Sequence, residues 1–178
     1  MRKYVVLGLC LVLLLSAVQA FGAGLTGKNE ISAAAAWVKV SEDGGNGEIT
    51  TTLVGASYGR YISENLEFKL DAIYANFEMG GDVNAWLIGP AVAWNFTPQT
   101  PSSVIPYIGV GALYANIEVS GSDSSLNLEY FAGAKFFIGG DYTTANKAAF
   151  LEYRHTNVSM FDTNVKLDLV WAGLSCFF

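Results

Sequence analysis

The stretch Trp86-Leu87-Ile88-Gly89-Pro90-Ala91-Val92-Ala93-Trp94-Asn95-Phe96 decides the fold. Trp86, Ile88, Pro90, Val92, Trp94 and Phe96 fall on one parity, while Leu87, Gly89, Ala91, Ala93 and Asn95 fall on the other. Successive strand residues face opposite sides, so the first set forms a broad apolar face with aromatics near both ends. That face suits a strand whose outer side meets hydrocarbon between two interfacial girdles, with mostly small residues packed in a narrow interior. A secreted soluble barrel of lipocalin type would carry polar residues on the same face.

Neighbouring segments repeat the pattern. Ile108, Val110, Ala112 and Tyr114 alternate with Gly109, Gly111 and Ala115, and Leu126, Leu128, Tyr130, Ala132, Ala134, Phe136 and Ile138 alternate with Asn127, Glu129, Gly133 and Lys135. Extending the phase turns Glu67, Lys69, Asp71, Glu152 and Arg154 inward as well. Four acids against three bases can pair, and an unpaired charge shut away from water is costly. The interior therefore reads as a plug more than a pore.

Eight such segments are expected, at Glu30–Val40, Glu48–Tyr61, Leu66–Glu78, Asn84–Phe96, Pro106–Val119, Leu126–Ile138, Lys147–Val158 and Asn164–Phe178. Gly, Pro, Asn, Asp and Ser punctuate them, as in Ser41–Gly47, Ile62–Asn65, Met79–Val83, Thr97–Ile105, Ser120–Ser125, Gly139–Asn146 and Ser159–Thr163. The even number allows closure with both termini on one side. If that side is periplasmic, the first, third, fifth and seventh connectors face outward and are short. The fold class expected is all-β: an eight-stranded antiparallel up-and-down transmembrane β-barrel after an N-terminal signal peptide. The first, second and eighth segments leave their phase open, and Asp168 shares parity with Phe178, which places it at the outer rim.

Met1-Arg2-Lys3, an apolar run from Tyr4 to Leu15 and Ser16-Ala17-Val18-Gln19-Ala20 have the form of a secretory signal peptide, residues 1–20, with the barrel domain at 21–178. The run is too short to cross a bilayer as a helix. The 178 residues carry a formal charge of −6, which becomes −8 without Arg2 and Lys3, and nucleic acid is an unsuitable partner for so acidic a domain. Cys176 would then be the one cysteine and His155 is the one histidine, so neither a disulfide nor a Cys/His zinc site is available. No cofactor and no metal are expected. Glu42, Asp43 and Asp123 are isolated acids in polar segments, which are usually only solvated.

Val170, Ala172, Leu174, Cys176 and Phe178 form an apolar face that reaches the last residue. This ending resembles bacterial outer-membrane barrels, whose terminal aromatic is read by the barrel assembly machinery, here through Phe178. Pro106-Tyr107-Ile108-Gly109-Val110-Gly111-Ala112-Leu113-Tyr114-Ala115 and Phe150-Leu151-Glu152-Tyr153-Arg154 resemble the small eight-stranded outer-membrane superfamily of the outer-membrane protein A and W types. The resemblance implies a monomer in the outer membrane, contacting lipid and lipopolysaccharide, with Tyr153 in an outward girdle and Arg154 ion-paired inside. It implies a non-enzymatic structural or surface-interaction role, or a narrow conduit for small apolar molecules.

Tyr153-Arg154-His155-Thr156-Asn157 also resembles the lipid A 3-O-deacylases, eight-stranded barrels in which a His and a Ser two residues apart act with an acid on the lipid-facing side. Residues i and i+2 share a strand face, so a base and a hydroxyl can meet there. Here Asn157 occupies the serine's place, Thr156 points inward, and Ser159 is expected in the following loop. Asp162 or Asp168 could orient His155. The catalytic alternative thus comprises His155, Ser159 and Asp168, while the leading expectation assigns no catalytic residue.

Overall fold

The computed structural model describes residues 24–41, 48–78, 82–119, 121–160 and 163–178, so the expected signal peptide at 1–20 lies outside the described residues. The strands are β1 (Asn29–Ser41), β2 (Glu48–Tyr61), β3 (Leu66–Glu78), β4 (Asp82–Asn95), β5 (Val104–Val119), β6 (Gly121–Phe137), β7 (Lys147–Met160) and β8 (Thr163–Phe177). Each pairs antiparallel with its neighbour in sequence, and β1 pairs with β8, closing the barrel in the order β1 to β8. Closure leaves no sheet edge, as a lipid-embedded sheet requires.

Alternation places the side chains as the pattern demands. Trp86, Ile88, Trp94, Ile108, Val110, Leu128 and Tyr130 are about half exposed or more, while Leu87, Ala91, Ala93 and Asn95 are buried inside. The outward set would be anomalous on a water-soluble protein. It is the surface a bilayer covers.

The structure differs from the expected boundaries mainly at the end away from the termini. There β5 and β6 run to Val119 and from Gly121, absorbing most of the expected Ser120–Ser125 connector. The reason is register: Ile117 pairs with Asp123 and Val119 with Gly121, so the ladder continues through polar residues. β7 likewise extends to Met160, and Ser159 lies in this strand opposite Asn164 rather than in the following loop. Asp162 lies outside the described residues, as do Glu42 and Asp43.

At the other end, the alternation of β8 breaks. Val170, Ala172 and Leu174 face outward, but Ser175, Cys176 and Phe177 are buried in succession. Phe177 joins an apolar floor with Leu25, Tyr61, Ile105, Phe137 and Tyr142. The 139–146 connector folds beneath the barrel, where the Tyr142 hydroxyl donates to the Pro98 carbonyl at 3.1 Å. The segment before β1 is held by Glu64, whose carboxylate accepts from the Leu25 amide at 3.0 Å and from the Thr26 amide and hydroxyl at 3.2 and 2.9 Å.

Gly89 marks a close approach in the wall. A Cβ there would overlap the Ala112 carbonyl, beside the point where Pro90 lacks an N–H for the β4–β5 ladder.

Candidate functional site

The lumen is stacked in three layers. Above the apolar floor, the odd positions of β3, β5 and β6 and the even positions of β1 and β7 deliver charged and phenolic groups to the middle of the lumen. Lys135 binds Glu30 and Glu67, the latter at 2.9 Å, and also reaches the Tyr61 hydroxyl. Arg154 binds Asp71 at 2.9 Å, Glu129 at 3.0 Å and Glu152 at 2.8 Å. Tyr107 donates to Glu152 at 2.9 Å, Tyr61 donates to Glu30 at 3.0 Å, and Ser175 donates to Glu30 at 2.6 Å. Lys69, the third cation, lies 5.3 Å from the centre of the Phe131 ring. Above this level Leu53, Ile73, Leu87, Leu113, Leu167, Leu169 and Trp171 form an apolar ceiling.

All seven interior charges expected from the sequence are inside, and Glu30 joins them from β1, giving five acids to three bases. Within the charged layer lies a cavity of about 30 Å³, bordered by Ser32, Ser57, Lys69, Asp71, Glu152 and Trp171. It has space for about two water molecules. Among the described residues no group of acids, His and Cys is arranged to hold a metal ion.

A second polar constellation sits outside the barrel, on β7 and β8. His155 is paired in register with Asp168 on one side and Tyr130 on the other. Its Nδ1–H donates to Asp168 Oδ1 at 2.8 Å, and the Tyr153 hydroxyl donates to the same oxygen. A carboxylate only accepts, so this bond fixes the ring and leaves Nε2 as the free imidazole nitrogen. Asp168 is outward and exposed, on the parity expected.

An oriented base and its acid are therefore present. The hydroxyl is another matter. Thr156 is buried, and its hydroxyl donates inward to the Leu128 carbonyl at 3.1 Å. Asn157 is exposed on the His155 face and is no nucleophile. Ser159 is four residues along β7, roughly 13 Å of strand from His155. The geometry thus joins His155 with Asp168 and leaves Ser159 apart. Tyr153 is the additional member that sequence reading missed, although it shares the outward parity of His155 and stands two residues away.

The model of the outer membrane protein beta-barrel domain family matches residues 8–178. Among curated proteins no significant match is found. Among solved structures the chain is similar to Neisserial surface protein A, NspA, at 24% identity and a TM-score of 0.65, covering 85% of this chain and 99% of that one. It is similar to the N-terminal β-barrel domain of Pseudomonas aeruginosa OprF at 17% identity and a TM-score of 0.59, covering 86% and 98%. The outer membrane enzyme PagL is also similar, at 18% identity and a TM-score of 0.52, covering 83% and 98%. At these identities the structural likenesses establish the eight-stranded barrel architecture, and the match across nearly the whole sequence shows that this chain belongs to the outer membrane protein β-barrel domain family.

Proposed function

We propose that this protein is a non-conducting barrel of the outer membrane, with its termini end in the periplasm and a structural or surface-interaction role carried by its outer face. The carrying observation is the filled interior: an apolar floor, a charged layer cross-linked by Lys135 and Arg154, and an apolar ceiling lie in series along the strands. That stacking favours this role over a conduit for small apolar molecules, since such a solute would have to displace buried ion pairs. Lipopolysaccharide and outer-leaflet lipid are the partners suited to the exposed apolar belt. Phe178, hydrogen-bonded through its backbone to Asn29, is the residue proposed for the barrel assembly machinery.

The test has two parts. The protein should be recovered in the outer-membrane fraction with heat-modifiable gel migration, and in planar bilayers it should add no current. A steady single-channel conductance would overturn the closed-lumen reading.

One observation favours a second reading, an acyl hydrolase or its inactive relative: His155 is held by Asp168 on the lipid-facing side. Here Asn157→Ser places a hydroxyl on the same face, about 7 Å along the strand. If the pair is a usable base, this variant releases fatty acid from lipid A in the outer leaflet and N157S/H155A does not. An unchanged acyl pattern in both the natural protein and N157S, read by mass spectrometry of lipid A, removes the hydrolase reading.

A further inference from the structure

The charged layer of the lumen poses a problem of charge balance. Glu30, Glu67, Asp71, Glu129 and Glu152 share it with Lys69, Lys135 and Arg154, and apolar layers close it above and below. Two surplus negative charges held there would be costly, because buried ions persist only when paired. Among the described residues no cluster is built to take a metal ion.

The hydrogen bonds show where the surplus lies. Both oxygens of Glu30 are engaged, one by Lys135 and Tyr61 and the other by Ser175. Both oxygens of Glu152 are engaged, one by Arg154 and the other by Tyr107. Three carboxyl oxygens are buried without a partner: Oε1 of Glu67, Oδ1 of Asp71 and Oε1 of Glu129. Asp71 borders the cavity. The other two oxygens are pressed against backbone. A Cβ on Gly59 would overlap Glu67 Oε1, and one on Gly111 would overlap Glu129 Oε1.

We infer that Glu67 and Glu129 are proton-binding sites, each holding a neutral carboxylic acid in the folded barrel at neutral pH. The proton sits on Oε1. Oε2 remains the carbonyl oxygen that accepts from Lys135 in Glu67 and from Arg154 in Glu129. The ionised acids are then Glu30, Asp71 and Glu152, equal in number to the three cations. A neutral hydroxyl without an acceptor costs less than an uncompensated buried charge. Glycine at 59 and 111 provides the clearance the two carboxyl groups need.

The experiment is infrared spectroscopy of the full mature barrel in lipid vesicles at neutral pH, with glutamate isotopically labelled to identify its carbonyl stretch. The expected result is a protonated-carboxyl band in the natural protein, halved in Glu67→Gln and in Glu129→Gln and lost in the double variant. Urea unfolding midpoints supply the second reading: E67Q and E129Q hold or raise the midpoint, while Asp71→Asn and Glu152→Gln lower it. The inference is overturned if the natural protein shows no protonated glutamate band. It is equally overturned if E67Q and E129Q lower the midpoint as far as E152Q, or if the midpoint rises with sodium or potassium and so identifies a bound cation as the balancing charge.

Discussion

Replacing Arg154 by Met removes the guanidinium and leaves a shorter apolar chain that ends near the position of Nε. Arg154 is 5% exposed and makes three hydrogen bonds, Nε to Glu152 at 3.0 Å and Nη1 to Asp71 and Glu129 at 2.9 and 3.0 Å, with Nη2 in ion-pair contact with Glu152 at 2.8 Å. After the exchange Asp71 and Glu152 remain as buried carboxylates without their principal partner. Removing one side of a buried pair costs about 3–5 kcal/mol, chiefly because the remaining charge is stranded. Against a typical total of about 5–15 kcal/mol, that is a large fraction of the stability. At about 1.4 kcal/mol per tenfold, the folding equilibrium falls by roughly two to four orders of magnitude.

The stranded-charge mechanism has its own control. The triple variant R154M/D71N/E152Q removes the two ionised partners together with the cation, so it recovers most of the loss, as neutralised buried networks do. Urea titration of the barrel in phospholipid vesicles, followed by tryptophan fluorescence and by gel migration of unheated samples, measures both variants. A loss below about 1 kcal/mol in R154M would mean that water screens the layer as it does a surface pair. Failure of the triple variant to recover would mean that Arg154 acts by packing.

Three other perturbations test the remaining parts. Ile88→Lys puts a charge on the outward face midway along β4 and costs about 2–4 kcal/mol in a bilayer, whereas Phe96→Lys, just past the strand end, costs about 0–1; equal effects in vesicle unfolding would contradict the sidedness. Gly89→Ala forces a Cβ into the Ala112 carbonyl, so β4 and β5 must separate, at about 1–3 kcal/mol, and the yield of heat-modifiable barrel drops; normal yield would show that the close approach relaxes. Burial alone would raise the Glu64 pKa, but hydrogen bonds from the Leu25 amide and from Thr26, with Lys28 nearby, hold it below the ordinary 4.5. Its contribution to docking the 24–28 segment is therefore present above about pH 4.5 and lost as pH falls through the lower folded value, read as faster hydrogen exchange at Leu25, and Glu64→Gln abolishes this dependence.

The strands that revealed themselves are those with unlike faces. β4 sets Trp86, Ile88 and Trp94 against Ala91 and Ala93, and one glance at parity assigns inside and outside. β1 hides its phase because Ala33-Ala34-Ala35-Ala36 is apolar on both sides, which leaves Glu30, the first residue of the expected segment, without a side. The structure puts Glu30 inside, and that single residue changes the lumen from a nearly balanced set of charges to one with two surplus acids. Its phase follows from pairing: Glu30 lies opposite Gly59 on β2 and Phe177 on β8.

The outward site was half legible for a related reason. Strand ends at Val158 and Asn164 would pair those two residues and put Leu167 opposite His155. The observed hairpin pairs Met160 with Thr163, a shift of one residue that brings Asp168 opposite His155 instead. A one-residue slip turns a whole strand face over, so the sequence, which offered Asp162 and Asp168 alike, left the choice of acid to the turn. The missing hydroxyl, by contrast, was plain from the sequence, because i and i+2 share a face in any register and Asn157 occupies that place. Strand periodicity therefore settles which residues share a face with His155, while only closure of the last hairpin settles which acid holds it. Conversion of Asn157 to serine is accordingly the sharper probe of this surface than removal of Asp168, whose loss would also release Tyr153.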